Sequence, residues 1–514
     1  MSFICNNLAP IFVALNLAAI AWMFGGAKAA PLEVTVPWMF LFMMQMILCF
    51  PQKHPGESTY AARTRVWKQL RKDPLVWVST GLILLLAIPF VNNGFCPSCD
   101  RELYAMGLDP NPPISFLPYC VNRIHHLNVF YWFLTALSAT IAVKHALNRS
   151  GKRLMLALIV ANGFVLAILG FVQIAAEAPG PLWQPFASGK LVDYFSTFGY
   201  PNMAGDYFTT LFGISLALWR WDYEAVSEEL REDRNKAAKN KYRWFWKRNL
   251  FLIPAVVFFF AAVNTLSRAS MILASVLAVV YFIHTFMSFT KKMHRADRIR
   301  KGGIALGIVA LLVFFASVSI PENMQREVDT LNTDAILTRV TGKGQYHARV
   351  ATEIWKDNLL FGCGGWGYKH FCIPKMTPEE IKQIQMVGGI NVHNDYLQFL
   401  AEHGVVGFGA MVAIVVILLI PVGSTWKRLA NDARFLKGKD LPQKPVNIFV
   451  CPAPVFFILL AAVSTLVHSF GDCAMRSAAV LTLFFVSLAA LPGFLPELPA
   501  KGADKEHHSH HHHH

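Results

Sequence analysis

Ionisable and amide side chains stand at the edges of the apolar segments of this chain. His393, Asn394 and Asp395 lead directly into one apolar segment, and Arg268 lies in a short connection between two others. Polar groups at a membrane boundary cost free energy unless they face protein or water, so their presence marks a functional site. An arginine there can bind an anion through its planar guanidinium, and a histidine can act as a base near neutral pH.

The segment 321–395 adds further charged groups to this set. It contains a group of four basic side chains, at Arg339, Lys343, His347 and Arg349. A connection of this length is uncommon in a protein unless it has a function of its own. We therefore expect the chemistry to take place in this segment and at the helix boundaries around it.

The composition indicates the elements that must position these residues. Hydrophobic residues make up 54% of the chain and charged residues only 15%, whereas a soluble domain carries about 25% charged residues. The apolar residues form runs of about 20, which is the length that spans the core of a bilayer. We place twelve such runs, at 8–27, 32–50, 74–92, 127–146, 153–175, 202–219, 249–266, 269–288, 303–320, 397–420, 447–467 and 475–494.

The connections between these runs differ in charge. If the helices alternate in direction, one side receives both termini and five connections rich in Lys and Arg, namely 51–73, 147–153, 220–248, 289–302 and 424–446. Loops with an excess of Lys and Arg lie in the cytoplasm. The sequence therefore predicts an all-α polytopic membrane protein with about 12 transmembrane helices, both termini in the cytoplasm and one large periplasmic loop.

The expected organisation has four parts. Residues 1–320 hold transmembrane helices 1–9, and residues 321–395 form the large periplasmic loop with the site. Residues 396–500 hold helices 10–12. Residues 501–514 are a tail that ends in a histidine-rich stretch typical of a purification tag, so these histidines take no part in any metal argument.

Two classes of partner are excluded by the sequence. The net charge of +15 could suggest nucleic acid, but the basic residues are spread over short loops between apolar runs. No Asp-x-Asp motif of the kind that holds a nucleotide-sugar metal is present, and the loop 220–248 is too short for a nucleotide-binding domain. We therefore expect neither nucleic acid nor a nucleotide sugar as a partner.

Five cysteines fall on the predicted outer side, where disulfides can persist. They are Cys96, Cys99, Cys120, Cys363 and Cys372. We expect that either Cys363 pairs with Cys372 or two of the other three form a disulfide. A zinc site built from Cys96, Cys99 and Cys120 with His125 is the less favoured alternative.

The stretch HNDYLQFLAEHGVVG at 393–407 resembles the signature of the O-antigen ligase and O-antigen polymerase superfamily. Three further segments resemble motifs of that family, in the same order along the chain, and the resemblance covers roughly residues 190–490. These segments are GYPNMAG at 199–205 (an Asn-Pro-Asn-type motif with Tyr200 in place of the first Asn), TLSRAS at 265–270 (a Ser-Arg motif), and Arg349 with Trp355 and FGCG at 361–364 (an Arg…Trp…Gly-x-Gly block).

The resemblance implies an enzyme of the bacterial inner membrane that takes a glycan from an undecaprenyl-diphosphate carrier and transfers it to an acceptor hydroxyl at the periplasmic face. Diphosphate is a good leaving group, so the site needs positive charge more than a strong acid. His393 is then the expected base, and Arg268 and Arg349 are expected to bind the diphosphate. No metal or other cofactor is expected. Further donor contacts are expected from Asn202, Asn394, Arg339, Lys343 and His347.

Three functions remain open within this interpretation. The first expectation is a ligase that transfers the glycan to lipid A core, and the second is a polymerase that extends another carrier-linked glycan. The alternative of a different class is a transporter or flippase of the lipid-linked glycan, which would carry ionisable residues within several helices. The predicted helices are nearly free of charge at their centres, and this favours the enzyme.

Overall fold

A computed structural model describes residues 7–26, 29–93, 112–184, 194–232, 241–290, 344–387, 391–435 and 451–495. Within these ranges every regular element is a helix, and one isolated bridge joins Phe195 and Phe198. The α-helices are α1 (Leu8–Trp22), α2 (Ala29–Leu48), α3 (Thr59–Lys72), α4 (Pro74–Ala87), α5 (Arg123–His145), α6 (Arg149–Ala175), α7 (Pro201–Glu232), α8 (Lys241–Asn249), α9 (Leu252–Asn264), α10 (Arg268–Thr290), α11 (Gly344–Asp357), α12 (Gly367–Phe371), α13 (Pro378–Val387), α14 (Asp395–Phe435), α15 (Ala453–Gly471) and α16 (Ala478–Ala490).

Six helical stretches of the described chain are long and apolar enough to cross a membrane. A seventh results if α3 and the stretch Pro74–Phe90, which are bent by 65° at Asp73, are counted as one span. The prediction of an all-α, multi-pass membrane protein is thus confirmed. Helices occur at eleven of the twelve predicted apolar runs, but the apolar helices Leu8–Trp22, Thr35–Leu48 and Ala478–Phe494 are shorter than a span. The run 303–320 lies outside the described residues, so the number of twelve spans stays a prediction.

Polar residues just before the helices explain where several of them begin. The side chain of each accepts a hydrogen bond from a backbone N–H two or three residues later, which satisfies a group that the helix itself leaves unpaired. These residues are Ser58 before α3, Asp73 before α4, Asn122 before α5, Asn148 before α6 and Ser477 before α16.

Helix α7 lies at the centre of the described bundle, in contact with α6, α9, α10, α15 and α16. Small residues allow the close approach of its neighbours, as is common between membrane helices. At Gly213 a Cβ would lie 2.6 Å from both Ala461 Cβ of α15 and Tyr281 Oη of α10. Gly205, one turn into α7, similarly accommodates Ser270 and Thr265.

The bundle has two ends with different chemistry. The starts of α7, α10 and α14 and the end of α15 meet at what we call the loop end, and the ends of α3 and α5 with the start of α6 form the basic end. Helix α5 connects them, because His126 near its start accepts a hydrogen bond from Gly365 N–H, and Lys144 near its end binds Asp73. Its 23 residues span about 34 Å, roughly the thickness of a bilayer core.

Residues 359–364, which precede α14 in the chain, are hydrogen-bonded to that helix where Gly404 interrupts it. Gly404 interrupts α14 with φ 62° and ψ −171°. The N–H groups of Cys363 and Gly364 donate to the carbonyls of Ala401 and Glu402, and those of Val405 and Val406 donate to the carbonyls of Leu359 and Leu360, at 2.9–3.1 Å. We call residues 359–364 with 401–406 the loop–helix junction. It fixes the segment 359–364 to a membrane helix.

The described outer cysteines are free thiols. The expected Cys363–Cys372 disulfide is therefore wrong, because Cys363 packs against Gly367 while Cys372 Sγ donates to the carbonyl of Lys369 at 3.6 Å. Cys120 is also free, and its Sγ donates to the carbonyl of Pro89. Cys96 and Cys99 lie outside the described residues, so neither the pairing between them nor the zinc alternative is tested.

Candidate functional site

His393 lies two residues before the first residue of α14. Its backbone is in the left-handed region, with φ 53°, which few residues other than glycine adopt. The next residue, Asn394, caps the helix, because its Oδ1 accepts a hydrogen bond from Leu397 N–H at 3.0 Å. The His393 side chain is 47% exposed. The cap and the unusual backbone thus place an accessible imidazole at the loop end.

The carboxylate of Asp472 is the hydrogen-bond partner of His393. Asp472 directly follows α15, and its Oδ1 lies 3.3 Å from Nδ1 of His393. In contrast to the imidazole, the Asp472 side chain is 10% exposed. Helices α14 and α15 are in contact, so the start of one and the end of the other bring together two residues that are far apart in sequence.

Two residues at the start of α7 hold Asp472 from another direction. The Tyr200 hydroxyl donates to Asp472 Oδ1 at 3.0 Å. The Asn202 amide donates to Asp472 Oδ2 and, at 3.1 Å, to the Tyr200 hydroxyl oxygen. The backbone N–H of Cys473 adds a further hydrogen bond to Oδ1, at 2.7 Å. The predicted residues His393 and Asn202 are therefore joined through Asp472.

These contacts determine where the protons are. Burial alone would raise the pKa of Asp472, but the adjacent His393 and the N–H of Cys473 lower it to about 2. Burial, with the nearby Cys473 and Asp472, raises the pKa of Tyr200 well above its usual range, so the phenol keeps its proton. Because a carboxylate only accepts hydrogen bonds, Nδ1 of His393 must carry a proton. The lone pair of the neutral imidazole is then on Nε2.

Arg268 is the first residue of α10 and is partly buried. The turn that precedes it contains Leu266 in a left-handed conformation. This turn and the first turn of α10 pack on α7, where any side chain at Gly205 would meet Ser270 and Thr265. Gly205 lies one turn after Asn202, so the Ser-Arg turn and the Asn202 region are neighbours at the loop end.

Arg349 is bound within the loop. Its guanidinium makes ion pairs of 2.9 Å with Glu353 and Glu380 and also donates to the carbonyl of Lys375. Of the polar contacts described for Arg349, none is to His393 or Asp472. The structure thus places this arginine on the surface of α11, with its charge already balanced by two carboxylates.

His347 lies near His393 in the described part of the loop. The ring centres of His347 and His393 are 6.3 Å apart, and His347 Nδ1 is 2.7 Å from the Tyr368 hydroxyl. Burial, with His393 close by, lowers the pKa of His347 to about 4. At neutral pH His347 therefore offers a hydrogen bond rather than a positive charge. Lys343 and Arg339, which were also predicted to contact the donor, lie outside the described residues.

A buried ionic cluster supports the site from behind. Arg476 Nη2 donates to Glu402 at 2.6 Å, its Nε lies 4.0 Å from Asp395, and its guanidinium carbon lies 4.5 Å from the centre of the Trp366 ring. A buried charge requires such partners. Because these groups belong to the loop, to α14 and to the turn after Asp472, the cluster connects the three segments that carry the site.

Three potential ligands for a metal ion meet at the site. His393, Asp472 and Cys473 each offer an atom, and these atoms lie within 4.8 Å of one another. Burial, with the negative charge of Asp472, raises the pKa of the Cys473 thiol well above its usual range. A thiol binds a metal as the thiolate, so Cys473 would have to lose its proton to act as the third ligand. His393 and Asp472 alone are too few for a structural metal site.

Tyr200 and Asp472 are the site residues that sequence analysis did not select. Asp472 stands in the short connection 468–474 between two apolar runs, on the predicted outer side. Asp472 could therefore have been selected as a site residue for the same reason as His393, because it is an ionisable residue at a predicted membrane boundary. Tyr200 gave a weaker signal, because it only replaced an Asn in the motif at 199–205.

One comparison with known proteins identifies part of the chain. Residues 253–412 match the family described as O-Antigen ligase. This range includes Arg268, Arg349 and His393, whereas Asn202 and Asp472 lie outside it. Among curated proteins, none matches the chain. The similarity of residues 253–412 to this family supports the resemblance of the chain to the O-antigen ligase superfamily.

Proposed function

We propose that the protein is a glycosyltransferase of the bacterial inner membrane. In this proposal it moves an oligosaccharide or polysaccharide from undecaprenyl diphosphate to an acceptor hydroxyl at the periplasmic face. The observation that carries the proposal is the oriented His393–Asp472 pair at one end of a helix bundle. The resemblance supported by residues 253–412 implies lipid-linked glycan substrates and a membrane environment.

The pair supplies a base of the required kind. The acceptor hydroxyl gives its proton to Nε2 of His393 as its oxygen bonds to the anomeric carbon of the glycan. The bond between that carbon and the diphosphate oxygen breaks, and the diphosphate leaves with the electron pair. Asp472 holds the imidazole in the correct tautomer and stabilises the imidazolium that forms. Tyr200 and Asn202 in turn keep Asp472 in place and ionised.

The leaving diphosphate needs a cation, and we assign this role first to Arg268. Its turn packs beside the start of α7, close to Asn202, and a guanidinium binds two phosphate oxygens at once. Arg349 would have to exchange a carboxylate partner for the diphosphate. We therefore assign it a secondary contact, together with His347 and, from the segment before α11, Lys343 and Arg339. Asn394 contributes by capping α14 behind His393.

The proposed topology has about 12 spans, with both termini in the cytoplasm and the segment 321–395 in the periplasm. Two groupings in the structure support it. The connections near Gln52, Asp73 and Asn148, which are basic in sequence, meet at the basic end. The loop segment at Gly365 and the site residues meet at the loop end, about one bilayer core away.

Within this function we favour a ligase with lipid A core as acceptor over a polymerase. A flippase of the same glycan is the competing class. The described bundle does contain a buried ionisable pair, Asp206 with His468 at 3.2 Å. Asp206 is near the start of α7 and His468 near the end of α15, however, so the pair lies at the loop end with the other polar groups. This location supports a site at the membrane surface rather than a path across it.

The test uses a deletion strain that is complemented with variants of the full chain. His393→Ala should lower turnover by about 10²–10⁴, the usual effect of losing a general base, with little change in donor binding. The matched control is His54→Ala, an exposed histidine at the other end of the bundle. Mass spectrometry of the glycans gives the readout. Wild-type turnover in His393→Ala would contradict the proposed mechanism.

The same spectra distinguish the alternatives. If the protein is a ligase, the strain with His393→Ala accumulates long chains on the carrier while lipid A core lacks them. If it is a polymerase, single repeat units accumulate instead. Glycan that stays on the cytoplasmic side of the membrane would identify a flippase and would end the proposal of an enzyme.

A further inference from the structure

A basic groove lies at the basic end, far from His393. It has a volume of about 880 Å³ and is formed by one face of α3 with the end of α5. Arg65, Lys68 and Lys72 face it from α3, at the spacing of one helix face, and Lys144 faces it from α5. Nothing in the proposed transfer reaction uses these residues, since α5 separates them from the loop end by about 34 Å.

The acidic groups near the groove are already occupied. Asp73 Oδ2 lies 2.7 Å from both Lys144 Nζ and His145 Nε2. Arg65 is paired with Glu57 at 2.9 Å. Within the ranges that the structure describes, Lys68 and Lys72 have no ion-pair partner, and both side chains are exposed. Four cations thus face two carboxylates, and the surplus positive charge is that of the two unpaired lysines.

The position of α3 indicates which anion these lysines meet. The helix is bent by 65° from the stretch that follows it. Large aromatic side chains are exposed on both sides of the bend, with Tyr60 81%, Trp67 54% and Trp77 63% accessible. Exposed Trp and Tyr with neighbouring Lys and Arg are typical of segments at the surface of a bilayer. The groove therefore opens at the level of the lipid headgroups.

We infer that this groove is a binding site for the phosphate of an anionic phospholipid headgroup, held by Lys68 and Lys72. The phosphate oxygens would accept hydrogen bonds from the two ammonium groups, and the aromatic residues of α3 and α4 would hold the helix at the depth of the headgroup. In the proposed topology the lipid belongs to the cytoplasmic leaflet, whose anionic lipids attract basic segments next to membrane spans. The inference does not depend on the transfer reaction.

Native mass spectrometry of the purified full chain in detergent tests the site, with dioleoylphosphatidylglycerol as the probe. We expect Lys68→Gln/Lys72→Gln to weaken binding of the lipid by about 30-fold, at about fivefold for each lysine. Both side chains are exposed, so the variant should keep the melting temperature of the wild type. The matched control is Lys53→Gln/Arg71→Gln, which removes the same charge from exposed positions outside the groove, and we expect less than a twofold change.

Three results would overturn the inference. Equal loss in both double variants would mean that only the general charge of this end attracts the lipid. Equal binding of dioleoylphosphatidylcholine would mean that the groove does not select an anionic headgroup. Full competition by glycerol 1-phosphate at concentrations similar to those of the lipid would identify a soluble phosphate ester as the ligand.

Discussion

The imidazole of His393 is oriented by a carboxylate that the chain supplies 79 residues later. The two groups differ in environment, because the ring is accessible and the carboxylate is buried among Tyr200, Asn202 and Cys473. An accessible base with a buried, ionised partner is the arrangement that general-base catalysis requires. The Asp472 side chain is only 10% exposed, so it loses little contact with solvent when a substrate arrives.

The variant Asp472→Asn removes the negative charge of this side chain but keeps its shape, so it tests the role of the charge alone. The amide fills the same space but can present its NH₂ to His393, which would turn the imidazole to the wrong tautomer. We expect turnover to fall by about 10²–10⁴ with little change in KM. Asp357→Asn, an exposed acid paired with Lys375, is the control. The turnover of the double variant His393→Ala/Asp472→Asn should be no lower than that of the less active single variant, since the two residues act as a unit.

The charge of Asp472 also contributes to stability in a defined pH range. Its folded pKa of about 2 lies below the unfolded value of about 3.9. The carboxylate therefore stabilises the fold fully above the unfolded pKa, and the contribution is lost as the pH falls through the folded pKa. In thermal melts of detergent-solubilised protein, the advantage of the wild type over Asp472→Asn should be constant near neutral pH and shrink below about pH 4.

Transfer should survive an excess of chelator. The reason is that guanidinium groups take the place of a metal cation at the diphosphate in the proposed reaction. Turnover of the purified protein is measured before and after dialysis against the chelator. Loss of turnover that returns when a divalent ion is added would assign a metal to His393 and Asp472.

At the residue scale the sequence was informative where a polar group interrupts an apolar pattern. His393 could be selected for that reason, and the structure joins it to Asn202, which only the resemblance had suggested. The ion pair between Arg349 and Glu380 could not be predicted, because Glu380 reaches Arg349 only after the loop has folded. The neutral state of His347 also depends on burial, which sequence does not give.

At the scale of elements, the break in α14 is the feature on which the loop depends. Gly404 combines φ 62° with ψ −171°, a conformation that is available almost only to glycine. A Cβ at this position would also meet the carbonyl of Leu360. The apolar pattern at 397–420 predicted one continuous helix, because hydrophobic periodicity continues through the break and does not report backbone angles. The polar helix caps, in contrast, could be read from the sequence.

Gly404→Ala should destabilise the protein by about 3 kcal/mol or more, since it adds both strain and a clash. Gly409→Ala in the same helix is the matched control, because a Cβ there meets nothing within 4 Å. We expect the control to be neutral or to stabilise the helix by about 0.5–1 kcal/mol. Thermal unfolding in one detergent measures both. Equal melting temperatures for the two variants would mean that α14 does not need its break.

At the scale of the whole molecule, charge and hydropathy predicted two sides of different character. Within the described residues, the basic connections 51–73 and 147–153 lie at one end of the bundle, and the polar site residues lie at the other. The two sides could be predicted from the sequence because the number of Lys and Arg residues can be counted in each loop separately. It could not give the neighbours of α7, since the close contacts at Gly205 and Gly213 depend on how the helices cross.

Labelling with a membrane-impermeant maleimide tests the orientation. Single cysteines are introduced at two exposed polar positions, Glu379 in the loop and Lys68 at the basic end, and labelling of the parent chain is subtracted. In spheroplasts Glu379→Cys should react, whereas Lys68→Cys should react only after permeabilisation. Reaction of Lys68→Cys in intact spheroplasts would reverse the proposed topology.

In an unbroken helix, Val405 and Val406 would donate to the carbonyls of Ala401 and Glu402. At the loop–helix junction, the N–H groups of Val405 and Val406 and the carbonyls of Ala401 and Glu402 are instead hydrogen-bonded to the backbone of residues 359–364. Each of these four hydrogen bonds contributes about 1 kcal/mol to holding the segment on α14. At equilibrium the segment is therefore separated from α14 in roughly one molecule in a thousand. Residues 359–364 therefore move with the membrane helix and do not act as a flap. If His393 acts on a lipid-linked glycan as proposed, the segment 359–364 is a fixed wall beside the site, and the glycan must enter without displacing it.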